Sequence, residues 1–503
     1  MRYFYGKLCL VLLEEHFGSI IQCIGNSLLY GTKTLTAIHH DTRLSLAEIK
    51  KGISVLIKFG FVTYQRDNGI EYTLDHNKII MILRYPRYMF FVKTEYGDEA
   101  EIMLEVVLKN GYIAASKTII ETYKRLEHLS SNCKTSNSTQ KPSIPDLKDI
   151  FHLLITSKIL MRSIFFDTTA ESAEKPDYNL PEIDVTAIHS ILQGQGADLK
   201  DSKIYWKVNF DRLTENLRDQ IIISAMKQRF DKNAGKLMTQ LINLMHSRTV
   251  SWQDTSNPIP YTEIKEKVKM LNFPELEQYL DQYLRLIEDD SSQFIKRVGD
   301  SGGGQYVVDM KNAFTKLAWV TLESIVTERF GSKASRIFRL VRDEKDVNLE
   351  QIQRLAMISI KDVKFLTYIL TQENYIQMQE IRKSGSLTTP SKEPFRFHIE
   401  LAKIVEMEIE HCCQALYNII KRRDHETTSN KRMIEKELRV QILSFNMKEH
   451  GATEQQLAEL AEMMTPSETQ QLEKAQNAIK KLGATELQID ETLFLLTMYF
   501  RYH

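Results

Sequence analysis

The stretch SLAEIKKGISVLIKFGFVTYQRDNGIEYTL (45–74) joins a helical pattern to two strand-like runs within one short segment. Ser45 suits a helix N-cap and Glu48 stands three residues on, the spacing of a capping box. Leu46, Ile49, Ile53 and Leu56 recur at helical spacing, which predicts a helix to about Phe59 with those four turned inward. FVTYQ (61–65) and IEYTL (70–74) then flank Arg66-Asp67-Asn68-Gly69, and Asn-Gly between alternating runs signals a tight hairpin because both residues tolerate positive φ. Helices followed by a two-stranded hairpin describe a winged helix. Its third helix leaves Ala47, Lys50, Lys51, Ser54 and Lys58 on the outer face, the one that in this fold can enter a major groove. Exposed lysines are also commonplace on solvated surfaces, so two readings of that face stay open.

Working outward, apolar periodicity predicts one helix over Lys7–Leu29 and a short segment at 33–40. Downstream the same order returns. Residues 97–127 read as two helices, DLKDIFHLLITSKILMRS (146–163) as a third, 211–248 as a helical pair and 274–288 as a further helix. SQFIKRVGDSGGGQYVVDM (292–310) reads as a hairpin with Gly302-Gly303-Gly304 at its tip. Helices near 311–330, 333–342, 349–357 and 360–373 lead into YIQMQEI (375–381) and FRFHIEL (395–401). Eight of the 11 prolines fall in close pairs, which fits linkers and turns better than helix interiors. The expected fold class is mainly α with small β hairpins: four tandem winged helices at 1–83, 84–166, 205–310 and 311–398, with 167–204 as a linker.

From 399 to 503 the period changes. Ala402, Val405, Ile409, Cys412, Leu416 and Ile419 step alternately by three and four, an apolar coiled-coil seam. Ile434, Leu438, Ile442 and Phe445 suggest an antiparallel return, Thr465-Pro466 with Glu468 restarts a helix, and Ile489, Leu493, Leu496 and Phe500 mark a final one. Residues 421–439 hold seven Lys or Arg against four acids and 449–491 hold three against nine. That asymmetry suggests docking onto differently charged partners, though solvated coiled-coil flanks often look the same.

A chain of 503 residues exceeds a single core. Its 66 basic residues balance its 66 acidic ones, so no global field draws it to nucleic acid and any such contact must use local patches. The cysteines, Cys9, Cys23, Cys133, Cys412 and Cys413, are odd in number and lack CxxC spacing, which speaks for a reducing compartment, nucleus or cytosol. The apolar run Leu8–Leu13 passes straight into Glu14, Glu15 and His16, too short for a signal peptide, and no stretch has the length of a membrane span. A soluble protein without membrane contact is expected.

Gly299-Asp300-Ser301-Gly302-Gly303 spells the string around the nucleophile of trypsin-like proteases, but that chemistry needs a His base and a buried Asp on an all-β fold. A hairpin tip is the simpler reading, with a hydrolase using Ser301 as the enzyme alternative. His39-His40-Asp41 and His411-Cys412-Cys413 lack the spaced partners of a tetrahedral metal site. No metal, no cofactor and no catalytic residue is therefore expected. RYPRYMFFVK (84–93) interleaves Arg84, Arg87 and Lys93 with aromatic residues, which suits either phosphate and base contacts or a junction between domains.

Seven stretches then resemble one family, the TFIIE-alpha-like, four-winged-helix subunits of DNA-directed RNA polymerase III. They are KLCLVLLEEHFG (7–18), LRYPRYMFFVKTEYGD (83–98), YWKVNFDRL (205–213), DQYLRLIEDD (281–290), GDSGGGQYVV (299–308), ESIVTERFGSKASRIFRLV (323–341) and DETLFLL (490–496), in the family's order along nearly the whole chain. The resemblance implies four extended winged helices around a C-terminal antiparallel coiled-coil stalk. It also implies a non-catalytic place in the nuclear initiation heterotrimer, beside a smaller winged-helix subunit and an acidic-tailed one. Polymerase III core near the clamp, TFIIIB and promoter DNA, double- and single-stranded, are the further partners, in synthesis of 5S RNA, tRNA and other small RNAs. A link to sensing of cytosolic DNA is implied as well. Lys50, Lys51, Lys58, Arg66, Lys78, Arg84 and Arg87 are the candidate DNA contacts. The alternative is a winged-helix scaffold of a lid-like assembly.

Overall fold

The computed structural model describes residues 3–65, 69–132, 143–163, 178–194, 199–271, 273–380, 395–449 and 464–503. It forms two compact units, Tyr3–Ile221 and Ile222–His503.

The first winged helix begins with Tyr3–Phe17 and Ser19–Leu28, two helices where the apolar period predicts one. Gly18 separates them at φ 90°, ψ 173°. A short strand, Lys33–Thr34, then leads into the helices Leu35–Thr42 and Leu46–Lys58. The hairpin Val62–Gln65 and Glu71–Leu74 follows, and the strand order in the sheet is 33–34, 71–74, 62–65. The capping box forms as expected: Ser45 accepts from the Glu48 amide and the Glu48 side chain accepts in return from Ser45 N–H. Ile49, Ile53 and Leu56 are buried, joined by Gly52, but Leu46 stays 45% exposed. A helical Cβ tilts toward the N-terminus, so this first-turn side chain points past the end of the packed face.

The plan of the first module repeats. The second has helices Tyr85–Tyr96, Asp98–Asn110, Ala115–Asn132 and Ile144–Thr156. Its wing does not close locally: Leu160–Arg162 pairs with Tyr205–Val208, which also pairs with Tyr112–Ala114. Residues 205–208 therefore belong to the second sheet, and the border expected at 204–205 falls inside it. The segment expected as a linker connects two strands of that sheet and carries the helix Val185–Leu192. In the third module Phe210–Arg229, Lys232–Arg248, Tyr261–Met270 and Leu280–Asp289 precede the hairpin Ile295–Gly299 with Gln305–Val308. In the fourth, Met310–Phe330, Ser332–Glu344, Leu349–Ala356 and Ile360–Gln372 precede Gln377–Glu380 with Phe395–His398.

One junction recurs in every module. Between its first two helices stand Phe17-Gly18-Ser19, Tyr96-Gly97-Asp98, Phe230-Asp231-Lys232 and Phe330-Gly331-Ser332. The three glycines share nearly one conformation, with φ of 90°, 96° and 84° and ψ of 173°, 175° and 173°. Side chains with a Cβ essentially never adopt it. Asp231 makes the same turn at φ −157° and caps the next helix through Ala234 N–H. Nothing lies within 4 Å of a Cβ built on Gly331, so Gly331→Ala is expected to lower stability by about 1–3 kcal/mol through backbone strain alone. Thermal denaturation checks this; a change of a few tenths of a kcal/mol would show that the junction relaxes.

The C-terminal helices are Leu401–Ser429, Lys431–Glu449 and Pro466–Tyr502. The last is one continuous helix where two are expected, started by the Thr465–Glu468 capping box. It runs antiparallel to the others, as Arg423–Glu486 and Lys436–Glu468 show. The charge asymmetry of the two arms is thus used across the hairpin itself. Val405, Ile409, Cys412 and Leu416 are buried as the seam predicts, whereas Ala402 is exposed. Ile404 and Glu408 are buried too, on a flank of the seam where the fourth module brings the Tyr375 hydroxyl to Glu408, and Cys413 and Ile420 are buried on the opposite flank. In the return helix, Leu438, Ile442 and Phe445 are exposed among the described residues.

Candidate nucleic-acid interface

The helix Leu46–Lys58 of the first module presents Lys50 and Lys51 to solvent, opposite buried Ile49 and Ile53. The carboxylate nearest along the same helix, Glu48, is taken by Ser45, whose hydroxyl and amide hold it below the usual glutamate range. The two lysines therefore stand as positive charges on the outer face of the winged helix, the arrangement that positions a protein on phosphates.

The other expected contacts separate. Lys58 turns away from that face and places its ammonium 5.8 Å from the Tyr112 ring centroid of the second module. Lys78 pairs with Asp75 at 3.2 Å. Both line a cavity of about 240 Å³ between the first two modules. Arg84 is only 5% exposed and Arg87 half-buried, so Arg84 is not offered to a ligand. Arg66 lies outside the described residues. The aromatic stretch around them serves mainly as a junction: Tyr85 stacks on Phe210 at 5.5 Å, and buried Tyr88 shares a hydrogen bond with Thr214. Phe90 alone of these rings is strongly exposed, at 69%.

Sequence reasoning missed Lys207, which lines the same cavity. Its signal is the alternation in YWKV (205–208), where Trp206 and Val208 are buried and Lys207 points the other way. It also missed the outer face of helix Ile360–Gln372, where Lys361, Lys364, Phe365 and Tyr368 form an exposed stripe beside Met357. In the second unit a cleft of about 1010 Å³ is lined by Lys316, Trp319, Arg342 and Lys345 among others. Arg342 lies 5.8 Å over Trp319, and Glu323 is occupied by Arg339 and Arg342.

The hairpin tip at 299–304 is as expected: Ser301 opens a turn, Gly303 and Gly304 take positive φ, and exposed Asp300 pairs with Arg297. Asp41, beside the paired histidines, is engaged by Lys33 and Ser27. No helix among the described residues is long and apolar enough to cross a membrane.

Four family models match separate stretches of the chain. They describe an RNA polymerase III subunit RPC82 helix-turn-helix domain at 7–67, RNA polymerase III subunit RPC82 at 166–317, a POLR3C C-terminal winged-helix domain at 322–399 and an RPC3 helical hairpin domain at 432–495. Among similar proteins, the DNA-directed RNA polymerase III subunit RPC3 of Bos taurus is 34% identical over 98% of each chain. The proteins of that name from Homo sapiens and Danio rerio are 33% and 32% identical, over 98% of this chain and 97% of theirs. With four winged helices, a helical hairpin and this similarity from end to end, the chain belongs to the family of RNA polymerase III subunit RPC3.

Proposed function

We propose that the chain is a non-catalytic member of the polymerase III initiation heterotrimer and uses its first winged helix to hold promoter DNA beside the clamp. The observation that carries this is the exposed Lys50–Lys51 face on the helix Leu46–Lys58, whose opposite side buries Ile49, Ile53 and Leu56 in the core. Two such ammonium groups hold phosphates without reading sequence. The C-terminal hairpin anchors the module to the core enzyme, the smaller winged-helix subunit and the acidic-tailed subunit. With TFIIIB at the promoter, that anchorage turns phosphate contacts into a preference for the opened over the closed duplex. The products are 5S RNA, tRNA and other small RNAs, made in the nucleus. Through the polymerase the chain takes part in sensing cytosolic DNA.

Lys50→Ala with Lys51→Ala in the assembled enzyme is the test. Loss of two phosphate contacts lowers the slope of log K against log salt by about 2, and promoter opening falls with it. An unchanged slope and unchanged opening, with the heterotrimer intact, would remove this face from the mechanism.

A further inference from the structure

The cavity between the first two modules carries an electrostatic arrangement that a structure built for stability alone would not keep. Lys58, Lys78 and Lys207 all line it. Lys78 has Asp75, and Asp211 also lines the cavity, but among the described residues no ion pair joins Lys58 or Lys207 to a carboxylate. Lys207 sits in the central strand of its sheet, directly between Tyr112 on one neighbour and Met161 on the other. All three side chains line the cavity, so Lys207 rises from an apolar and aromatic floor. Burial, and then repulsion from Lys78, hold its ammonium below the ordinary lysine range. An apolar side chain in place of this half-buried, repelled cation would relieve the repulsion, and local conflict of this kind is what functional sites retain.

The surrounding groups define what would resolve it. Asn209 donates its amide to the Lys158 carbonyl and the Tyr178 hydroxyl, and its Oδ1, the atom that could accept from a lysine, already accepts from Arg212 N–H. The stacked pair Tyr85 and Phe210 and the Tyr112 ring border the space. About 240 Å³ lies just below the usual size of small-molecule sites. That room suits one phosphate group and one ring, not a run of polymer.

We propose that this cavity binds a phosphate monoester, its oxygens held by Lys207, Lys58 and Lys78 and its ring against the aromatic border. Two sources offer that chemistry: a free nucleotide, and the 5′-phosphorylated end of a nucleic-acid strand. The site is separate from the Lys50–Lys51 face and stands or falls without it.

Thermal unfolding of the purified full chain with inorganic phosphate, AMP and a short oligonucleotide, with and without 5′-phosphate, tests this. Phosphate and AMP are expected to raise the Tm. Lys207→Met should weaken AMP binding about tenfold or more, the loss of one charge-assisted contact, while leaving the ligand-free Tm equal or higher because repulsion with Lys78 is gone. Lys58→Met should weaken AMP in the same way, and Lys117→Met, at an exposed position of the helix Ala115–Asn132, should not. A strand gaining from its 5′-phosphate names the strand end as ligand; AMP stabilising where the phosphorylated strand does not names the nucleotide. No Tm rise in the wild-type chain, or an equal rise in Lys207→Met, overturns the proposal.

Discussion

Glu408→Ala is expected to cost about 1–3 kcal/mol of folding stability, the range for leaving a buried donor without its acceptor. Glu408 is 3% exposed on the first C-terminal helix, yet it accepts from the Tyr375 hydroxyl and stands 3.9 Å from Arg329. Arg329 in turn donates to Tyr375 and pairs with Glu373. One carboxylate thus closes a network joining the fourth winged helix to the helical hairpin. Without it the buried Tyr375 hydroxyl loses its acceptor, and the exposed Arg329 guanidinium keeps only Glu373 of its two carboxylates. Glu408→Gln keeps the volume and an acceptor, so it should cost clearly less; equal losses in the two variants would show that shape, not charge, matters there. Chemical denaturation of both measures the difference.

The same carboxylate sets a pH response. Hydrogen bonding to Glu408 raises His411 above the ordinary histidine value. A group charged more readily in the folded state stabilises fully below its unfolded pKa, and that contribution is lost as pH rises through the raised value. Stability should therefore decline from about pH 6.5 upward. In Glu408→Gln this slope should flatten.

Trp206→Ala is expected to cost about 3–5 kcal/mol, as for other buried large aromatics. Trp206 is 1% exposed and meets Phe151 edge to face at 5.7 Å. It lies opposite Ile113 on one strand and Arg162 on the other, so its loss loosens both pairings. Hydrogen exchange should report this as lost protection at 112–114 and 160–162, with the first winged helix retaining its own. Trp206→Phe should be far milder. The buried indole N–H has no acceptor among the described residues, and phenylalanine removes that unmet donor, which costs about 1–3 kcal/mol when buried, in exchange for some volume. A phenylalanine variant as unstable as the alanine one would contradict that account.

Much of this molecule is written locally. The capping boxes at Ser45–Glu48 and Thr465–Glu468, the Gly-rich turn at 301–304 and the helices between 310 and 372 follow from the residues that compose them. In each case the group that ends or turns the element lies within a few positions of it, so periodicity and cap chemistry suffice. The Phe-Gly junctions are just as local: positive φ at Gly18 breaks a helix that apolar spacing alone predicts as continuous. Four winged helices and an antiparallel hairpin were therefore legible, and so was the Lys50–Lys51 face, because the buried side of its helix is apolar at regular spacing.

Tertiary structure decided the rest. That 205–208 completes the sheet of 112–114 and 160–162, and does not open a third module, depends on backbone groups finding partners across a long insertion, and a strand's own sequence does not name its partner. Burial of Arg84, exposure of Leu46 and the second buried side around Glu408 likewise depend on which neighbour arrives. The meeting of Lys58, Lys78 and Lys207 is the clearest case. Charge attraction or repulsion acts between side chains that the fold has already brought close, and spacing along the chain carries no record of that distance.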